Sequence, residues 1–175
     1  MLSSLGCVFW LTGIPRSGKS TLAKLFKERL DTLNIASIIL DGDDIRNGLS
    51  RDLDFSKADR AENVRRVGEL AKLLASQGLC VIVACISPNA LDRQVARERL
   101  KGYPFFEIFC NCPLSVAIKR DTKGHYEQAL NGQLVDFTGV SSKYEEPTFP
   151  DLIIDTATQS PVLGVSAMLR QYLHI

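Results

Sequence analysis

The chain has 175 residues, 45% of them hydrophobic, and its 21 Lys and Arg against 20 Asp and Glu leave a net charge of +1. That length suits one domain over residues 1–175, and near-neutrality excludes the basic footprint expected of a nucleic-acid or anionic-membrane binder. No apolar run approaches the roughly 18–20 residues of a membrane span, and Met1-Leu2-Ser3-Ser4-Leu5-Gly6 lacks the positive n-region of a signal peptide, so a cytoplasmic protein is expected.

The first apolar run, residues 7–12, reads as a strand. It runs into Gly13-Ile14-Pro15-Arg16-Ser17-Gly18-Lys19-Ser20-Thr21, which fits G-x-x-x-x-G-K-[ST]. Glycines at 13 and 18 let successive backbone N–H groups turn toward a polyphosphate. Lys19 can then reach the β/γ-phosphates and Ser20 can offer its hydroxyl to Mg²⁺. A helix over 19–33 would place its positive end on the same anion. A nucleoside triphosphate site with Mg²⁺ at Ser20 follows.

A second strand, 36–41, ends in Asp41-Gly42-Asp43-Asp44. Phosphoryl transfer to a hydroxyl needs a metal held against the phosphates and a group to receive the acceptor's proton. Asp41 is placed near the metal and Asp43 as the base, with both carboxylates on one side if extended geometry persists past Gly42. A helix over 57–77 follows, with Ser56 as N-cap and Asp59 at N3. Its apolar stripe of Val64, Val67, Leu70, Ala71 and Leu74 should face the sheet. Arg60 and Asn63 fall inside that stripe, where an unpaired charge is costly. A bound anion at the sheet rim or an internal ion pair would resolve that cost.

A third strand, 79–87, ends in Ile86-Ser87-Pro88. Helices over 90–101 and 113–121 flank a fourth strand at 105–111, and a fifth strand at 151–155 precedes a helix over 161–173. Strands with so little alternation are expected to be covered on both faces, and their regular exchange with helices implies a doubly wound, mainly parallel five-stranded α/β sheet, here with a P-loop after its first strand. Residues 122–150, with only a short helical pattern near 124–131, interrupt the rhythm and are expected to form a lid. Cys7, Cys80, Cys85, Cys110 and Cys112 sit in apolar runs without C-x-x-C spacing and are read as reduced core thiols.

The run from Leu40-Asp41-Gly42-Asp43-Asp44-Ile45-Arg46-Asn47-Gly48-Leu49 to Phe55-Ser56-Lys57-Ala58-Asp59-Arg60-Ala61-Glu62-Asn63 resembles adenylylsulfate kinases. So do Ile86-Ser87-Pro88, Lys123-Gly124-x-Tyr126, Phe137-Thr138-Gly139 and Tyr144-Glu145-x-Pro147. The resemblance implies ATP-dependent phosphorylation of the 3′-hydroxyl of adenosine 5′-phosphosulfate, and a homodimer. By position it puts Asp43, Arg46, Phe55, Arg60, Asn63, Ile86, Ser87, Lys123 and Phe137 around the acceptor. Phe55 and Phe137 would sandwich the adenine, Arg46, Arg60 and Asn63 would hold its phosphosulfate and ribose side, and Ser87 would contact the acceptor first and serve as nucleophile second. Lys19, Asp43 and Ser87 are the catalytic candidates. The chain departs from the family pattern at Ile14-Pro15-Arg16-Ser17 and, in the lid, at His125, Glu127, Gln128 and Leu130, where the family carries a leucine and basic residues. The lid departures leave a kinase for another nucleotide conjugate or a sugar as an alternative, beside a non-catalytic nucleotide-binding paralogue.

Overall fold

A computed structural model describes residues 6–174. The opening residues Met1–Leu5, read above for a signal sequence, lie outside the described residues.

Five strands, β1 (Cys7–Thr12), β2 (Ser37–Asp41), β3 (Cys80–Ala84), β4 (Phe105–Asn111) and β5 (Leu152–Asp155), form one sheet in the order β2-β3-β1-β4-β5. Every pairing is parallel. Helices α1 (Lys19–Thr32), α3 (Lys57–Ser76), α4 (Ala90–Arg99) and α7 (Pro161–Leu173) cover its faces, with shorter helices α2 (Gly42–Asn47), α5 (Leu114–Lys119) and α6 (His125–Leu130) in the connections.

The central strand explains the two layers. All six residues of β1 are buried, and its side chains alternate between two cores. Cys7, Phe9 and Leu11 pack with Leu22, Phe26 and Met168 under α1 and α7. Val8 and Trp10 pack with Val64, Val67 and Ala71 under α3 and α4. Phe9 meets Phe26 edge-on with centroids 4.8 Å apart. Each large side chain buried in this way contributes about 1.5–3 kcal/mol. All five cysteines are free and buried, as expected of inert thiols.

Two expectations about the strand ends are corrected. The third strand stops at Ala84 rather than at residue 87, because Ser87 takes φ +45° and Pro88 has no N–H to give a ladder. The chain also does not stay extended beyond Gly42. Asp41 caps a helix missing from the sequence-based assignment: its Oδ1 accepts the Asp43 amide at 3.0 Å, and α2 starts at Gly42. Aspartate's preference for the N-cap prevails over strand continuation. Asp41 therefore ends a strand and Asp43 opens a helix, so their relation is that of cap and first turn rather than of i and i+2 strand neighbours. Ser56 caps α3 as expected, accepting the Asp59 amide at 3.1 Å.

Candidate functional site

The carboxyl ends of parallel strands are where such sheets bind ligands, and a cleft of about 1080 Å³ opens there. Pockets for single drug-sized ligands span roughly 300–1000 Å³, so this cleft lies at the top of that range.

The phosphate loop connects β1 to α1. Gly13 has φ +153° and Gly18 φ +91°, and a Cβ on Gly13 would lie 2.7 Å from the Cys110 carbonyl oxygen. Both conditions demand glycine. Inside the loop Lys19 Nζ donates to the carbonyls of Gly13 at 2.9 Å and Ile14 at 2.8 Å, and to Ser17 Oγ at 3.3 Å. Burial pulls the Lys19 pKa below its usual value, against the opposing field of neighbours that include Asp41 and Asp43. Such a cation favours an anionic ligand that restores its charge balance. The first turn of α1 contains no acidic residue, and Gly18 caps it without a side-chain bond, so its amides and dipole are available to phosphate. Pro15, Arg16, Gly18, Lys19, Ser20 and Thr21 line the cleft, whereas Gly13, Ile14 and Ser17 do not and act by shaping the loop.

Ser20 Oγ donates to Asp41 Oδ2 at 2.6 Å, joining the first helix to the end of β2. A hydroxyl beside a carboxylate next to a phosphate loop is a hard-oxygen donor set that fits Mg²⁺. Asp43, in the first turn of α2, is exposed and lines the same cleft.

All nine residues expected around the acceptor, namely Asp43, Arg46, Phe55, Arg60, Asn63, Ile86, Ser87, Lys123 and Phe137, line this cleft. The guanidiniums of Arg46 and Arg60 lie 4.6 and 5.6 Å from the Phe55 ring centroid. Arg46 Nη1 donates to the carbonyls of Leu53 and Asp54. Arg60, only 8% exposed, donates to the Phe55 carbonyl at 2.8 Å, to Thr138 Oγ1 at 3.0 Å and to the Asp136 carbonyl. Neutral oxygens, not a carboxylate, therefore partner Arg60, so the internal ion pair offered as one expectation is not formed and the charge stays uncompensated. Burial, and then the nearby Arg46, lower its pKa. Two uncompensated cations over one aromatic ring make this end of the cleft receptive to a dianionic group. Asn63 Oδ1 is buried there without a hydrogen-bond partner among the described residues, an acceptor available to a ligand donor.

The segment Ile86-Ser87-Pro88 is tied from four sides. Thr12 Oγ1 donates to the Ile86 carbonyl at 2.6 Å, and Trp10 Nε1 to Ser87 Oγ at 3.1 Å. Arg93 Nη1 donates to the Ser87 carbonyl at 2.7 Å, and the Glu145 amide to the Pro88 carbonyl at 2.8 Å. Ser87 is 3% exposed. Its hydroxyl is held as a fixed polar contact, which suits the acceptor-contacting role better than nucleophilic attack.

Of residues 122–150, Lys123, His125, Gln128 and 134–138 line the cleft, and the anchors of this segment were not visible in the sequence. Tyr126, buried at 1% exposure, donates its hydroxyl to the Pro15 carbonyl at 2.9 Å. Asp121 accepts the amides of Tyr126 at 2.7 Å and Lys123 at 3.3 Å, and the Arg16 Nε at 3.1 Å. Burial opposes ionisation of Asp121, but these three donors outweigh it and hold the carboxyl below its usual range. Arg120, Thr156, Gln159 and Pro161 also line the cleft. Arg120 Nη2 donates to the Thr156 carbonyl at 2.6 Å, and a Cβ on Gly18 would lie 3.6 Å from Thr156. These residues belong to the phosphate-loop side. Thr156 could have been found by extending to β5 the rule that ligands gather just past strand ends; Arg120, at the end of a helix, carried no such signal.

The same arrangement recurs in known proteins. A family profile described as adenylylsulphate kinase matches residues 5–155. An adenylyl-sulfate kinase of Geotalea daltonii is 47% identical over 162 residues, 93% of this chain and 80% of that protein. The bifunctional enzyme NodQ of Rhizobium sp. strain N33 is 47% identical over 92% of this chain, which spans only 25% of its length. The solved Mycobacterium tuberculosis APS kinase CysC, in complex with AMPPNP and APS, superposes with a TM-score of 0.93 at 41% identity over 95% of this chain and 97% of that one. The phosphate loop, the capping Asp41, the inward Arg60 and the fixed Ser87 thus lie in a chain that belongs to the adenylylsulphate kinase family.

Proposed function

We propose that the protein transfers the γ-phosphate of ATP to the 3′-hydroxyl of adenosine 5′-phosphosulfate, giving 3′-phosphoadenosine 5′-phosphosulfate and ADP. One observation carries this reading: all nine acceptor positions open onto the cleft that holds Lys19 and Ser20. In the reaction the 3′-oxygen forms a bond to the γ-phosphorus while the bond to the β,γ-bridging oxygen breaks. Asp43 takes the proton leaving the 3′-hydroxyl. The loop amides and Lys19 hold the phosphates in line, a role that supplies most of the acceleration in phosphoryl transfer. Ser20 and Asp41 would hold Mg²⁺, which when bound neutralises phosphate charge. Phe55 and Phe137 stack on the acceptor's adenine, Arg46 and Arg60 neutralise its phosphosulfate, and Asn63 and Ser87 fix its polar edge.

The test is ADP release that depends on adenosine 5′-phosphosulfate, with the new phosphate located at the 3′-hydroxyl by mass spectrometry and NMR. Absence of turnover at micromolar acceptor refutes the proposal. A second reading, transfer to another nucleotide conjugate or a sugar, rests on the absence of Lys and Arg between Lys123 and Lys143; turnover with such an acceptor in a panel, and not with the phosphosulfate, would establish it. The working unit we propose is a homodimer of one kinase domain with its lid at about 122–150, acting in the cytoplasm, where reduced buried thiols persist. Sedimentation at micromolar concentration tests the dimer. Among the described residues no helix is long and apolar enough to cross a membrane.

A further inference from the structure

Arg16 is the fourth residue of the phosphate loop, and its backbone lies in the left-handed region at φ +61°. Strained non-glycine residues of this kind concentrate at functional sites. The side chain lines the cleft, and its one hydrogen bond among the described residues engages Nε, with Asp121 Oδ1 at 3.1 Å. The Asp121 side chain is 2% exposed against 29% for Arg16. A buried, immobile carboxylate thus grips the guanidinium by its inner nitrogen, and both Nη groups keep their donors. Tyr126 holds the preceding carbonyl, that of Pro15, at 2.9 Å. The loop around Arg16 is fixed from both sides.

The other arginines of the cleft are engaged elsewhere. Arg60 directs Nη1 to Thr138 and Nη2 to Asp136, and Arg120 directs its Nη groups to Thr156. Arg46 lies over Phe55 at the acceptor end. Residues 124–142 contain neither Lys nor Arg, and Lys123, which lines the cleft, offers a single ammonium rather than a planar fork. Phosphoryl transfer spreads negative charge over three equatorial oxygens of the transferred group, and a planar fork of N–H donors matches them. We infer that Arg16 is a catalytic residue, an arginine supplied by the phosphate loop itself whose Nη groups bind the γ-phosphoryl oxygens as the transfer proceeds, with Asp121 positioning it. The inference rests on the kinase function proposed above.

The experiment compares wild type with Arg16→Ala. Calorimetry measures affinity for ADP alone and for ADP with aluminium fluoride, Mg²⁺ and adenosine 5′-phosphosulfate, a mimic of the transferring phosphoryl group. The expected result is ADP affinity within about three-fold of wild type and a loss of roughly 10²–10³-fold both in affinity for the mimic and in kcat. Equal losses for ADP and the mimic, or a kcat within about three-fold of wild type, would overturn the inference. If Arg16→Ala does not fold, Arg16→Lys, which keeps the charge beside Asp121 but not the fork, must show the same selective loss for the mimic. Wild-type turnover separates the two ideas: without it the kinase reading fails, and with it an unaffected Arg16 variant removes only this residue.

Discussion

The two ends of the cleft are built by opposite means. At the phosphate loop the inner contacts are local: Lys19 bonds to carbonyls five and six residues earlier, two glycines supply the backbone angles, and long-range ties reach its outer residues Pro15 and Arg16 from Tyr126 and Asp121. At the acceptor end Arg60 reaches Thr138 across 78 positions, and Trp10 reaches Ser87 across 77. The inner turn around Lys19 keeps its shape as long as its own residues do. A site assembled from distant segments depends on α3, the lid and the central strand staying in register, so it is the end where affinity and specificity can drift without loss of nucleotide binding.

The sharpest way to break the contrast is Lys19→Ala. It should reduce kcat/KM by about 10³-fold or more and weaken ATP binding as well, measured by steady-state kinetics and calorimetry, because one side chain serves both phosphate binding and chemistry. Asp43→Asn should slow transfer by at least ~100-fold with ATP affinity unchanged in single-turnover experiments; equal turnover would remove Asp43 from the mechanism. Arg60→Ala should raise the acceptor KM by about ten-fold while that for ATP stays near wild type, and hydrogen exchange should quicken at Asp136–Thr138, since three oxygens lose a charged donor. An unchanged acceptor KM with faster exchange would make Arg60 a lid anchor alone. Trp10→Phe should cost about 1 kcal/mol in chemical denaturation and raise the acceptor KM by about two- to five-fold through a loosened Ser87, leaving ATP binding untouched. A larger effect on ATP than on the acceptor would contradict the division into two ends.

The same contrast decides what could be read without coordinates. The strand and helix order, the phosphate loop and the inward Arg60 and Asn63 follow from periodicity and glycine spacing, which are local properties. The resemblance contributed the remaining acceptor positions, and the fold brings all nine to one cleft. What stayed hidden was of two kinds. Helix α2 arises because an aspartate that ends a strand also caps a helix, and the strand pattern outvoted the cap. The lid anchors Tyr126 and Asp121, and the oxygen partners of Arg60, are pairings between segments far apart in the chain, for which a single sequence holds no periodic trace.

The chain contains one tryptophan, Trp10, and its indole N–H ends on the hydroxyl of Ser87, which we propose contacts the acceptor. The ring is fully buried in the central strand, stacked near Phe105, so solvent does not contribute to its emission. The protein thereby carries an intrinsic optical reporter at the proposed acceptor end: a shift in Ser87 alters the polarity at the indole nitrogen. Acceptor binding can therefore be followed by stopped-flow emission on the unlabelled, unmutated chain.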